Sequence, residues 1–352
     1  MEFKKILILQ TAFLGDLVLT TPVISGLRRR YPDAVIELMT TPQGARLFTH
    51  DPRLNGIVIY DKRGSARGIR GWLKVLREVR DRGYDLAVVP HRSIRSALIP
   101  LLGGIPFRIG FDRSAGWFLH SIAIPYAERE HEVTRNLRLV APLAPELEPI
   151  RPELFIPDED RGWARRYLDK GGIDANQPFI TVAPGSIWQT KRWTSEGYAE
   201  LIARLIMKYP TVLIGGKEDW SLAAEIIASV MHMVENGSRL LNAVGISTPL
   251  QSAAIIARSR IIITNDSAPL HMGVAVGTPV CAIFGPTTPR FGFYPLGNGD
   301  RVVEIELPCR PCGIHGGRRC PEGHFRCMRD IRADEVYEVV RTILKEGTGS
   351  AG

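Results

Sequence analysis

The sequence predicts an α/β protein built from two open, parallel sheets. Three observations carry this reading. Short apolar runs, suited to strands buried on both faces, alternate with helical stretches along nearly the whole chain. The alternation occurs twice, on either side of a proline-rich crossing at 141–157. The 352 residues suit two domains of about 150–200 residues each better than one core. At 45% hydrophobic and 23% charged, the composition excludes disordered and fibrous classes. No apolar run reaches the roughly 18 residues of a membrane span. The apolar stretch behind Lys4 and Lys5 is too short for a secretory signal, so the expected location is the cytoplasm.

Each element follows in order. Residues 4–9 (KKILIL) form a buried strand and 10–15 a turn. Residues 16–30 form a helix that opens on Asp16 and closes on Arg28, Arg29 and Arg30, as the helix dipole favours. Pro22 is expected to kink or split it. Strands at 35–39, 57–60 and 85–89 and helices at 72–82 and 93–102 complete the first half. In the second half, a strand at 179–183 leads to a helix at 194–208, with Thr194 and Ser195 available as caps. A strand at 212–214, helices at 219–230 and 250–257, and strands at 261–264 and 280–284 around a helix at 269–276 follow. A helix at 333–345 closes the chain, and 347–352 read as a frayed tail.

The formal charge is +8, and it is unevenly placed. Residues 1–150 hold 22 basic and 15 acidic residues, while the remainder is nearly balanced. Such an excess is either a solvated surface or a face that meets an anionic partner. No nucleic-acid motif is present, so nucleic acid is not the expected partner.

Ligands of open α/β sheets sit beyond the carboxyl ends of the strands, and three loops occupy such places. The first is 11–16, where Gly15 lets the backbone turn tightly and Asp16 stands at a helix start. Asp16 reads either as a helix cap or as a general base. The second is 184–193, PGSIWQTKRW. Ser186, Thr190, Lys191 and Arg192 offer the hydroxyls and cations of a diphosphate site, or else an exposed basic loop over packed tryptophans. The third is 264–271, TNDSAPLH, with Asp266 and Ser267 at a helix N-terminus, Pro269 in its first turn and His271 one turn in. Each reads also as a cap or a packing residue. The loop at 283–289 either lines the same pocket or merely turns. Neither a dinucleotide fingerprint nor a P-loop is present. The lack of an Asp-x-Asp at a strand end argues against a diphosphate held through a metal.

With ILILQTAFLGDLVLTTPVISGLRRRYP, PGSIWQTKRW and ITNDSAPLHMGVAVGTPVCAIFGPTTP in order, the chain resembles glycosyltransferase family 9. Within the family it is most similar to the ADP-heptose:lipopolysaccharide heptosyltransferase II group. The resemblance implies a GT-B architecture, two Rossmann-like domains with parallel sheets facing across a cleft. It implies an acceptor-binding domain at 1–160 and an ADP-sugar-binding domain at 161–332. The helix in 333–352 would then pack back on the first domain. The implied reaction moves L-glycero-D-manno-heptose from ADP-heptose, with inversion, to the heptose of the lipopolysaccharide inner core, with no cofactor required. Asp16 is then the base. Ser186, Thr190, Lys191, Arg192, Asp266, Ser267, Ala268 and His271 hold the donor, although the family often carries Gly where this chain has Ala268. The inner core is anionic, which gives Arg63, Arg67, Arg92 and Arg95 a use in acceptor binding and makes contact with the cytoplasmic face of the inner membrane an expectation.

Four of the five cysteines, Cys309, Cys312, Cys320 and Cys327, cluster late in the chain. They read as a small structural zinc site, or as free thiols or a local disulfide. Three rival functions stay open. They are heptosyltransferase I or another family member with a different acceptor, a sugar-nucleotide epimerase, and a nucleotide-binding module without catalysis.

Overall fold

Ile6, Leu7, Ile8 and Leu9 are all fully buried, as a parallel strand covered by helices on both faces requires. The computed structural model of the chain describes residues 2–346 apart from 63, 147, 175, 235, 236, 238 and 298. The chain divides into two units, Met1–Phe155 and Ile156–Gly352.

The first unit runs β1 (Lys5–Leu9), α1 (Leu14–Arg30), β2 (Val35–Thr40), α2 (Pro42–Phe48), β3 (Gly56–Ile59), α3 (Gly68–Arg82), β4 (Leu86–Val89), α4 (Ile94–Leu102), β5 (Phe107–Phe111), β6 (Ile122–Ile124) and α5 (Glu132–Arg138). Its six strands lie in the order β3-β2-β1-β4-β5-β6, all parallel. The second unit runs α6 (Asp158–Lys170), β7 (Ile180–Ala183), α7 (Ser195–Leu205), β8 (Thr211–Leu213), α8 (Trp220–Met233), β9 (Leu240–Asn242), α9 (Pro249–Arg258), β10 (Ile262–Asn265), α10 (Ala268–Ala275), β11 (Val280–Ile283), β12 (Arg301–Val303), α11 (Arg326–Arg329) and α12 (Ala333–Glu346). Its parallel order is β12-β11-β10-β7-β8-β9. Both sheets therefore have the Rossmann strand order, and it reverses between β1 and β4 and between β7 and β10. The loops after those four strands occupy the ligand position of the fold.

Several expectations are corrected. Pro22 does not split α1, which runs unbroken from Leu14 to Arg30. The carbonyl that Pro22 leaves without its helical N–H is that of Val18, and the Thr21 hydroxyl donates to it at 2.7 Å. That same hydroxyl accepts the Glu153 N–H at 3.0 Å, so one side chain repairs the helix and ties down the chain leaving the unit. Gly15 has no positive φ; it lies inside the first turn of α1. The division after Phe155 falls before the expected boundary at 160, and α6 packs on α9 of the second unit. Val336, Val340 and Ile343 of α12 are buried in the second unit's own core, against α7, β11 and β12. An amphipathic helix has one apolar stripe, and here that stripe is already covered.

The elements α2, β5, β6, α5, α6, β9, β12 and α11 carry no clear local signal. β6 is three residues long and only half-buried, and α5 (EVTRNLR) carries almost no apolar pattern. Yet α5 packs closely on α1, where the buried Asn136 donates its side-chain N–H to Leu19 O at 3.1 Å. Among the described residues, no helix is long and apolar enough to cross a membrane.

Candidate active site

The loops beyond β1, β3 and β4 build a polar, cationic face on the first unit. Phe13 caps α1, and Asp16 is its third residue. One Asp16 carboxylate oxygen accepts the Phe13 N–H at 3.1 Å. The capping role is therefore real, and it leaves a half-buried carboxylate at the ligand end of the sheet. Lys62, just past β3, donates to Thr11 O at 3.2 Å. His91, just past β4, shares its Nδ1 with the Thr11 hydroxyl at 3.0 Å and the Ser96 hydroxyl at 2.7 Å. The Arg92 guanidinium lies over the Tyr126 ring at 4.2 Å. Arg95 reaches the hydroxyl of Tyr60, and Arg67 is exposed at the start of α3. Arg63 lies outside the described residues.

Burial holds His91 down to about 4, helped by Lys62 and Arg92. His120 is likewise held down to about 4, by burial and then by Arg108. Both are neutral near pH 7. Between pH 6.5 and 4 the unfolded chain binds protons there that the folded one refuses, so stability is expected to fall as pH drops through that window. Thermal melts across the window should show a shallower slope for His91→Gln than for the wild type; equal slopes would exclude this origin.

On the second unit, the switch point between β7 and β10 brings two distant loops together. Lys191 Nζ lies 2.6 Å from an Asp266 carboxylate oxygen, and both residues are buried at 9% and 7% exposure. The same oxygen accepts the Thr287 hydroxyl at 2.7 Å, so the loop after β11 does join this site. Asn265, at the end of β10, accepts the Trp193 N–H at 2.9 Å and donates to Pro184 O at 2.8 Å. It fixes the β7 loop to the β10 loop, a role the sequence reading did not foresee. Ser186 is buried, and its carbonyl accepts from Arg192 Nε at 2.8 Å. The Arg192 guanidinium also meets Asp219 at 3.3 Å. Asp219, whose pKa burial raises, lies so close under Gly185 that a Cβ there would meet its carboxylate at 2.3 Å. Arg192 therefore staples its own loop, while Lys191 is the cation aimed at the switch point.

Ser267 caps α10, with its hydroxyl 3.3 Å from that of Thr264. Ala268 is the first helical residue and has no positive φ, so the path there needs no glycine. Pro269 fits the first turn as expected, and His271 is buried behind it.

Thr190 is bound to the cysteine-bearing segment. Its hydroxyl donates to Gly317 O at 3.1 Å and accepts Gly317 N–H at 2.7 Å, and its own N–H donates to Gly317 O at 3.0 Å. The cysteine-bearing segment is thus a strap across the loop. His315 stacks near Trp188 with ring centroids 6.3 Å apart, and a Cβ on Gly316 would meet Lys191 at 2.9 Å.

The thiols do not fit the zinc expectation. Cys312, Cys320 and Cys327 line one cavity of about 100 Å³ beside Thr190. Among the described residues, however, no three His, Cys, Asp or Glu side chains are grouped to hold a metal ion. Cys309 Sγ faces His324 Nε2 at 3.8 Å, Cys312 Sγ donates to Cys309 O at 3.4 Å, and Cys327 is buried between the cavity and the apolar core. No described cysteine is in a disulfide.

Comparison with known proteins agrees with these features. The family model "Glycosyltransferase family 9 (heptosyltransferase)" matches residues 72–321. Lipopolysaccharide heptosyltransferase 2 of Escherichia coli K12 is 27% identical over 97% of this chain and 98% of its own length. Lipooligosaccharide heptosyltransferase 2 of Haemophilus ducreyi is 25% identical over 97% and 99%. Among solved structures, a family 9 glycosyltransferase of Veillonella parvula shares the fold with a TM-score of 0.85, at 22% identity and 98% coverage of both chains. E. coli ADP-heptose LPS heptosyltransferase II matches with a TM-score of 0.78, at 25% identity over 98% of this chain and 99% of that one. Its two Rossmann-like units are therefore those of the GT-B class, and the chain belongs to glycosyltransferase family 9 and is a glycosyltransferase.

Proposed function

We propose that the protein moves L-glycero-D-manno-heptose from ADP-heptose, with inversion, onto the heptose of the lipopolysaccharide inner core. The full-length similarity to heptosyltransferases 2 of several organisms carries this reading. The chemistry assigned to each unit is consistent with it. Asp16 takes the proton from an acceptor hydroxyl as that oxygen bonds to the anomeric carbon. The bond from that carbon to the phosphate oxygen breaks, and its electron pair leaves with ADP. The transition state resembles an oxocarbenium ion, as at other glycosyl centres. Lys191 meets the charge that grows on the diphosphate, and the N-terminal end of α10 adds its dipole. Asp266 holds Lys191 in place until the phosphates arrive. No step in this scheme calls for a metal.

The acceptor is anionic, and Lys62, Arg67, Arg92 and Arg95 supply charge on the first unit. The reading places the enzyme at the cytoplasmic face of the inner membrane, where its lipid-linked acceptor is made. Arg92→Ala is expected to raise the acceptor KM about tenfold, the size of one charge-assisted contact, with donor KM unchanged. Equal acceptor KM values would remove Arg92 from the acceptor site.

The deciding experiment is a mass-spectrometric transfer assay with ADP-heptose and core acceptors bearing no, one or two heptoses. Product only from the one-heptose acceptor supports the assignment. Product only from one of the other two would reassign the enzyme within its family.

A further inference from the structure

A second buried carboxylate lies at the ligand end of the same sheet. Glu132 opens α5, which follows β6 and packs on α1. It is 8% exposed, which is unusual for a glutamate. Its Oε2 lies 2.9 Å from Arg135 Nε, as an ion pair without hydrogen-bond alignment. Arg135 in turn donates to the Tyr126 hydroxyl at 2.6 Å, and its guanidinium lies over the Tyr126 ring at 4.7 Å. The Tyr126 hydroxyl also bonds to Glu132, and Arg92 covers the Tyr126 ring on the β4 side. His131, as the helix cap, accepts the Val133 N–H at 3.1 Å and fixes where α5 begins.

We propose that Glu132 is a positioning residue for the reaction: a neighbouring carboxylate, held by Arg135 and Tyr126, whose negative charge makes Asp16 the stronger proton acceptor. The proposal rests on reading Asp16 as the base.

The electrostatics of the cluster agree with the geometry. Glu132 is pushed up to about 7, by burial above all and also by the charge of Asp16, against the opposing pull of Arg135, Arg92 and Tyr126. Interaction between two titrating groups is reciprocal, so an ionised Glu132 raises the proton affinity of Asp16 by the same coupling. Above about pH 7 Glu132 is charged and its help to Asp16 is greatest. As pH falls through 7, Glu132 takes up a proton and Asp16 loses that help. Turnover should therefore rise across neutral pH through a group that never touches the acceptor.

Three measurements test this on the full chain. The kcat of the wild type is expected to climb through an ionisation near pH 7, and Glu132→Gln to abolish that climb. The same variant should lower kcat at alkaline pH by about tenfold or less, within what a general base of altered strength can change. Glu132→Asp should restore the climb, and ADP affinity should stay unchanged in both variants. Carbon-13 NMR of labelled glutamate carboxyls adds a readout free of activity: the Glu132 titration should move to lower pH in Asp16→Asn. A Glu132→Gln profile of wild-type shape, or a Glu132 titration unmoved by Asp16→Asn, would overturn the proposal. Should Glu132→Gln fail to fold, the wild-type profile and the NMR titration still decide. Failure of the underlying reading looks different: Asp16→Asn would keep its turnover, whatever the NMR coupling.

Discussion

Asp16→Asn is expected to lower kcat by about 10²- to 10⁴-fold, the span of a lost general base, while ADP affinity stays within twofold. The substitution separates the two roles this side chain holds. As a cap, Asp16 accepts the Phe13 N–H, and the amide oxygen of asparagine can accept it equally well. The helix start should therefore survive and the melting temperature hardly move. As a base, Asp16 needs a lone pair of carboxylate strength, which the amide lacks. Transfer measured at saturating donor and acceptor checks the result. An unchanged kcat would leave Asp16 with its cap alone.

Lys191→Ala is expected to weaken ADP binding by about 2 kcal/mol, roughly thirtyfold, the cost of one charged phosphate contact. It should also destabilise the protein, because Asp266 would keep its burial and its Thr287 hydrogen bond without its cation. Breaking such a buried pair from one side costs about 3–5 kcal/mol. The double variant Lys191→Met/Asp266→Asn separates the effects. It should recover much of the stability and none of the ADP affinity. Calorimetric titration with ADP and thermal melts of the three proteins check both halves. Wild-type ADP affinity in Lys191→Ala would take the lysine out of the donor site.

The strand ends were legible because continuous apolar runs such as 4–9 and 179–183 leave few alternatives, and the fold then dictates where ligands go. That is why Asp16, Lys191 and Asp266 could be singled out. Their partners could not. Lys191 meets Asp266 only because β7 and β10 are neighbours at the point where strand order reverses, a fact of topology rather than of local pattern. Thr190 and Arg192 looked like phosphate ligands by type, but the strap at Gly317 and the carboxylate of Asp219 engage them. Glu132 escaped notice because α5 follows no strong strand and has almost no apolar stripe. The one available hint was an acidic residue three positions before an arginine in that segment. Spacing says nothing of how thiols are arranged in space: Cys312, Cys320 and Cys327 share one cavity, yet among the described residues no three His, Cys, Asp or Glu side chains are grouped to hold a metal ion.

The repair inside α1 has a consequence for how this chain tolerates change. Pro22 makes the vacancy at Val18 O, and the Thr21 hydroxyl fills it while also receiving Glu153. The two residues are therefore not independent. Losing the hydroxyl strands a buried carbonyl only while the proline is present, so the two substitutions should be strongly non-additive. A chain drifting away from proline frees its neighbour to vary, whereas one that keeps it is bound to keep a hydroxyl beside it.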